Sequence, residues 1–312
     1  MRVGFAGCHQ ISWHCLRAVA ELCKSNGDEL VAVFNLLPEK GAKHSAFVEF
    51  DGLEKEYGFQ YHKVTDLAAP ETLSLLNSLK LDAFFIIGWH KIVPQQVIDC
   101  APYCLGMHSS LLPKNRGSSP INWQIIKGEK EGGMSFFHLT TGVDSGDVVD
   151  KQGFEIALQD SCADAYQKAA VAALEMLRRN WAALREKSLP RVPQDESQAT
   201  LNPRRKPEDG SVDWKKSALE LHNWVRALTH PYPGAFTFFM GKKLFLWKAS
   251  WIEDYNEPPE PPGTIVSVGE RLAVAAEGGW LLVKQLQFEG EPECSALVFS
   301  TAYSVSVGEK MG

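Results

Sequence analysis

Two residues of this chain have the types needed to move a proton. His108 opens the segment His108-Ser-Ser-Leu-Leu-Pro-Lys-Asn-Arg-Gly117, and Asp144 follows in Thr140-Thr-Gly-Val-Asp-Ser-Gly-Asp147. An imidazole titrates near neutrality and can carry a proton between an amine and a leaving group. A carboxylate beside it favours the imidazolium and fixes its orientation. Asp144 sits in a glycine-flanked loop after a strand, which suits a side chain reaching into a cleft. Asp147 has the same setting and is a rival for the role. An isolated histidine is more often packed in a core. In this chain a polar loop, a proline break and a helix start all follow His108 directly, and that density reverses the odds.

The surrounding elements are expected to bring these residues to one edge of a sheet. Val3–Gly7 and Leu30–Asn35 are apolar strands, with a helix over Ser12–Cys23 capped by Ser12 between them. A helix near Ala46–Tyr57 and another over Pro70–Leu79 follow, then the strand Ala83–Ile87, apolar on both faces. Leu105–Met107 is a further strand, presenting His108 at its carboxyl end. In open α/β sheets that is where ligands bind. A helix begins near Ser118–Pro120 and runs through Ile121–Lys127, strands follow at Met134–Leu139 and Val148–Ile156, and a long amphipathic helix covers Ala163–Arg185. Such alternation predicts an α/β fold, a doubly wound, Rossmann-like and mainly parallel sheet. The first turn, Gly7-Cys-His-Gln-Ile-Ser12, lacks the G-x-G-x-x-G spacing, so a nicotinamide oxidoreductase is disfavoured.

The composition then shifts. Residues 1–188 form the expected catalytic domain, 189–209 a polar, Pro- and Gln-rich linker, and 210–312 a smaller, mostly β, OB-like domain. Within the last, Phe236–Trp251 alternates as a hairpin around Met240-Gly241, and Pro258–Pro262 punctuates later strands. The length of 312 residues suits two domains. A formal charge of −6 argues against a broad nucleic-acid surface. The seven cysteines are irregularly spaced without a C-x-x-C pair, as expected of buried, reduced thiols in a cytoplasmic protein holding no metal. No leader segment and no membrane-length apolar run is visible, so no membrane partner is expected.

The segment from His108 to Gly117, with Pro120-Ile-Asn-Trp123 and Gly142-Val-Asp-Ser-Gly-Asp147, resembles the signature of the N10-formyltetrahydrofolate-dependent formyltransferases. Arg205-Lys-Pro-Glu-Asp-Gly-Ser-Val-Asp-Trp214, Asn223-Trp-Val-Arg-Ala-Leu228 and Pro231-Tyr-Pro-Gly-Ala-Phe236 resemble the C-terminal domain of the methionyl-tRNA and amino-sugar branches. The likeness covers nearly the whole chain. It implies N10-formyltetrahydrofolate as cofactor and attack of a substrate amine on the formyl carbon, with His108 as the catalytic histidine and Asp144 supporting it. It also implies that Ile87, Gly88, Trp89, Ile92, Leu139, Thr140, Thr141, Gly142 and Val143 frame the pterin. Ser109, Ser110, Arg116 and Gly117 would hold phosphates or hydroxyls of the amine substrate, and His9 and Gln10 would line its pocket. Arg116 has a loop salt bridge as its alternative role.

At one catalytic position the chain departs from the family. An asparagine normally stands two residues before the histidine and donates to an oxyanion; this chain has Gly106. Positions i and i+2 of a strand face the same way, so the gap is on the catalytic side. A backbone N–H, a water, the imidazolium, Asn115 or Asn122 stands in, or the protein is a slow enzyme or an inactive folate- or sugar-nucleotide-binding relic. Among acceptors, a nucleotide-linked amino sugar is favoured over tRNA. The linker's basic and acidic residues balance, and residues 35–50 offer only Lys40 and Lys43. A dimer is compatible with the sequence.

Overall fold

The computed structural model describes residues 1–44, 46–253 and 260–312. They divide into two units, the first made of Met1–Pro120, Glu131–Glu155 and Tyr166–Pro203 and the second of Ile121–Lys130, Ile156–Ala165 and Arg204–Gly312. These divisions differ from the expected ones: the segment read as a linker belongs, up to Pro203, to the first unit. Two short pieces from mid-chain belong with the C-terminal residues.

In the first unit the chain runs β1 (Arg2–Ala6), α1 (Gln10–Asn26), β2 (Glu29–Leu36), β3 (Gln60–Val64), α2 (Pro70–Leu79), β4 (Ala83–Ile87), β5 (Tyr103–His108) and β6 (Arg116–Gly117). There follow α3 (Pro120–Ile126), whose body lies in the second unit, then β7 (Glu131–His138), β8 (Val148–Glu155), α4 (Cys162–Arg185) and β9 (Leu201–Asn202). The main sheet has the order β3-β2-β1-β4-β5-β7-β8. Its first five strands are parallel, and β7 and β8 are added antiparallel. A mainly parallel α/β sheet is therefore what the strand–helix alternation produces.

Alternation along β4 explains how the sheet is covered. Phe84 joins Phe34, Leu76, Leu79 and Val97 in a core on one face. Its neighbour Phe85 points the other way, stacked between Phe136 and Trp181 of α4 with ring centroids 6.2 and 5.9 Å away. The Trp181 indole N–H donates to Asp28, 3.0 Å away. Truncating any of these rings to alanine is expected to cost about 3–5 kcal/mol.

Several expected boundaries shift. The helix over Ala46–Tyr57 shrinks to Leu53–Tyr57, because Ala46 and Gly52 take left-handed backbone (φ 58° and 94°) that no α-helix accommodates. β3 was not expected: an edge strand half open to solvent lacks an apolar signature. The residue preceding α1 is His9, not Ser12. Ser12 is the third residue of the helix, and its hydroxyl accepts from the His9 backbone N–H at 3.1 Å.

The second unit is built on an antiparallel sheet. After α5 (Ala218–Leu228) come β10 (Ala235–Phe239), β11 (Lys242–Glu253), β12 (Ile265–Ser267), β13 (Leu272–Ala276), β14 (Gly279–Phe288), β15 (Cys294–Ser295) and α6 (Ala296–Ala302). The strand order is β10-β11-β14-β13-β12, with β15 on β14. The expected hairpin is present. Met240 and Gly241 both have positive φ (50° and 74°), the backbone whose twist matches the paired strands. The Pro258–Pro262 punctuation lies partly outside the described residues. Among the described residues no helix is long and apolar enough to cross a membrane.

Candidate active site

His108 ends β5, which lies between β4 and β7. Its ring is nearly buried, 8% exposed, so the partners of its two nitrogens decide what it can do. Nε2 stands 2.7 Å from the backbone carbonyl of Asn115. A carbonyl only accepts, so Nε2 carries a proton and donates it. Nδ1 faces Asp144 Oδ2 at 3.4 Å. With Nε2 committed, Nδ1 is the ring position that can take up a proton, and it does so beside a carboxylate. This is the pair the sequence singled out. Asp147, the rival, is 3.8 Å from Arg191, and its carbonyl accepts from the His138 N–H.

The loops around this pair adopt uncommon backbone. Asn115 and Asp144 are left-handed, with φ 57° and 48°, a region that Asn and Asp enter more readily than most residues. The turn at Asn115 aims its carbonyl at His108. Gly117 (φ +92°) donates its N–H to Asp144 Oδ2 at 2.8 Å, and a Cβ there would stand 2.6 Å from the carbonyl of Asn202. Only glycine fits so close to β9.

The remaining expected site residues fall into distinct groups. Ser110 is buried, donates its hydroxyl to the Lys114 carbonyl and accepts from Ser135 at its own carbonyl, so it builds the turn. Arg116 is likewise engaged by side chains of its own unit. Its guanidinium makes a two-pronged pair with Glu196 (2.9 and 2.7 Å) and donates to Gln194. This pair is the loop salt bridge given as the alternative role. Ser109 is half-buried next to His108. The helix α3 after Gly117 is only seven residues long, a weak anion site.

Ile87 is buried, and its carbonyl accepts from Ser12. Gly88 is left-handed (φ +65°), and its carbonyl accepts from Cys8 N–H. Trp89 is half-buried with its ring 5.0 Å from that of His90, whereas Ile92 is 61% exposed. Leu139 is half-buried, and Thr140, Thr141, Gly142 and Val143 are exposed. Ile92 and Val143 are thus apolar groups open to solvent in the two segments expected to frame an aromatic ligand. Covering them would be favourable.

His9 and Gln10 follow β1. His9 is one of three clustered imidazoles, 6.2 Å from His44, which is 5.0 Å from His90. Burial and the proximity of His44 and His90 push His9 down to about 4. Cys8 beside it is pushed up to about 12 by burial, in keeping with an inert thiol. All seven cysteines are free, and six are buried. Among the described residues no group of side chains is arranged to hold a metal.

At Gly106 the nearest neighbour of a side chain would be apolar. A Cβ on Gly106 would lie 2.7 Å from Leu139 Cδ2. Asn122, one of the possible stand-ins, lies in the second unit and donates to the Ala227 carbonyl at 2.6 Å.

Residues 194–202 supply site neighbours that were not expected. Thr200 Oγ1 accepts from the Asn115 N–H at 2.8 Å, and Asn202 Nδ2 donates to Asn115 Oδ1 at 3.1 Å. Gln194 Nε2 donates to the carbonyls of Asp144 (2.8 Å) and Gly146 (2.7 Å). The only sequence signal for this role is Leu201-Asn202, a strand of two residues and too short for periodicity to reveal.

Comparison with known proteins gives the following likenesses. Residues 13–180 match the family model described as formyl transferase, and residues 204–304 the formyl transferase C-terminal domain. The chain is 36% identical over 245 residues to the methionyl-tRNA formyltransferase of Acetivibrio thermocellus, covering 78% of each. In fold it resembles an N-formyltransferase from Helicobacter canadensis, solved with folinic acid and dTDP-3-aminofucose, with a TM-score of 0.68 and 17% identity, covering 90% of this chain and 98% of that one. HypX from Aquifex aeolicus, solved with tetrahydrofolic acid, superposes with a TM-score of 0.67 and 18% identity; 99% of this chain spans about half (48%) of that one.

Proposed function

The chain belongs to the formyltransferase family, which uses N10-formyltetrahydrofolate, and from that premise we propose that its acceptor is the amine of methionyl-tRNA. When bound, the cofactor would supply a formyl carbon to which the amine forms its new C–N bond while that carbon's bond to N10 breaks and tetrahydrofolate leaves. The residues present fit it: Trp89, Ile92 and Val143 offer apolar cover for a flat ring, and the backbone of 87–92 and 139–143 would hold the ring's polar edge.

The chain's own part is the proton. An attacking amine must lose one, and His108 Nδ1 is the free basic position, because Nε2 is committed to Asn115. Asp144 stabilises the resulting imidazolium. Position 106 supplies no carboxamide, so polar support for charge on oxygen has to come from N–H groups other than that side chain.

The identity to methionyl-tRNA formyltransferase, 36% over most of both chains, carries the choice of acceptor. A nucleotide-linked amino sugar, favoured on sequence alone, becomes the second reading. The charge of −6 keeps it in play, as does the state of the basic cluster near residue 205. Arg205 packs against two indoles, 5.1 Å from Trp123 and 4.6 Å from Trp224, which gives it a structural partner of its own.

The test offers N10-formyltetrahydrofolate with either methionyl-tRNA or a panel of dTDP-amino sugars, and identifies the formylated product by mass. Formylmethionine released on hydrolysis of the tRNA product supports the first reading. A formylated sugar alone replaces it with the second. Binding of tetrahydrofolate without transfer to any amine leaves a binding protein that has lost its chemistry.

A further inference from the structure

The segment Gln194–Asn202 is held against the two sides of the catalytic pair by side chains, not by a hydrophobic face. Asn115, whose carbonyl fixes the His108 ring, is gripped at its N–H by Thr200 (2.8 Å) and at its carboxamide by Asn202 (3.1 Å). The backbone joins in: Arg116 N–H donates to the Thr200 carbonyl at 2.9 Å, and Arg116 and Gly117 are in parallel register with Leu201 and Asn202. On the other side Gln194 spends both amide protons on the carbonyls of Asp144 and Gly146, while its Oε1 accepts from Arg116. Asn115 and Asn202 are both buried.

We propose that Gln194 and Asn202 are positioning residues for formyl transfer, holding Asp144 and, through the Asn115 carbonyl, the proton-bearing nitrogen of His108. The physical reason lies in the backbone. Asn115 and Asp144 both sit in left-handed conformations, which persist only when surrounding contacts over-determine them. Gln194 and Asn202 supply those contacts from a stretch 50 to 87 residues further along the chain. Loosening Asn115 frees the carbonyl that dictates which ring nitrogen of His108 carries the proton. Loosening Asp144 moves the carboxylate away from Nδ1. Neither residue touches a reacting atom. The proposal rests on His108 and Asp144 serving formyl transfer.

Two near-isosteric substitutions in the full chain test it. Gln194→Glu replaces two N–H donors by oxygen facing carbonyl oxygens, and Asn202→Leu removes the donor to Asn115. In each, kcat for formyl transfer should fall about tenfold to a hundredfold, the scale of a misplaced catalytic group. KM for the formyl donor should stay within about threefold, because the segments framing the pterin are untouched. The second readout uses 15N-histidine-labelled protein without ligand. The wild-type His108 should show the Nε2–H form, and Asn202→Leu should shift it towards a mixture of tautomers. If Asn202→Leu does not fold, Asn202→Ser, which leaves space instead of filling it, takes its place.

Unchanged kcat in both folded variants would overturn the proposal. So would a lower melting temperature with wild-type His108 ring signals and wild-type kcat per folded molecule. If the wild-type protein formylates no amine, the transfer reading itself fails. The ring signals still report whether Asn202 sets the tautomer, so the two failures remain distinct.

Discussion

Gly106 and Leu139 compete for one space: a Cβ added to the glycine would stand 2.7 Å from Leu139 Cδ2 and 3.2 Å from its Cγ. Leu139 in turn packs against the apolar cores beside β4 and β7. The space next to Gly106 that a Cβ would need is therefore taken by an apolar side chain that packs into both cores.

Gly106→Asn alone is accordingly expected to lower both stability and activity, by about 1–3 kcal/mol of overpacking in the first case. Gly106→Asn with Leu139→Ala removes the obstruction and should turn over faster than Gly106→Asn. Melting curves and kcat for the two variants check this. Higher activity in the single variant would mean that Leu139 yields freely and that the glycine merely handicaps the site.

For the proposed catalytic pair, His108→Ala should cut kcat by roughly a hundredfold or more while the protein stays folded. Asp144→Asn keeps an acceptor for the Gly117 N–H but removes the charge facing Nδ1. It should therefore lower kcat with little change in melting temperature. The double variant should lose little beyond the worse single one, because the two act as a unit. Full activity in His108→Ala would rule out proton transfer through the His108 ring.

Acid sensitivity should centre on the imidazole cluster. His9 is held at about 4 against an ordinary 6.5, so between those values the folded state binds fewer protons than the unfolded chain. Stability then rises with pH through that window, is complete above about 6.5, and is lost as pH falls towards 4. Burial lowers His62, His138 and His222 in the same direction. The melting temperature should be lower at about pH 5 than at about pH 7.5, and His9→Gln should narrow the gap. An equal gap in His9→Gln would show that His9 does not carry the effect.

In the second unit, Arg205 should behave as a folding residue. Its place between Trp123 and Trp224 is worth about 0.5–2 kcal/mol as a cation–π contact. Arg205→Ala should lower the melting temperature while leaving the salt dependence of any tRNA binding unchanged. A reduced salt slope, measured by anisotropy with initiator tRNA, would show instead that Arg205 neutralises a phosphate.

Much of this protein was decided locally and could be read along the chain. Pro70–Leu79 and Ala83–Ile87 form the expected helix and strand residue for residue, because their periodicity is long enough to outweigh competing local preferences. His108, the loop to Gly117 and Asp144 stand out for the same reason, since their residue types and spacing lie within two short stretches. What the linear order does not contain is the set of partners that close the site. Arg116 looks like an anion-binding residue until Glu196, eighty residues on, takes its guanidinium. Residues 194–202 look like a linker because a two-residue strand and a few polar side chains carry no periodic signal. The space at Gly106 looks empty until Leu139 folds into it from the end of β7. Residue types and local periodicity determined the sheet and singled out the His108–Asp144 pair. Which nitrogen of His108 carries the proton was decided only by tertiary structure, because hydrogen bonds between distant segments depend on where the chain returns.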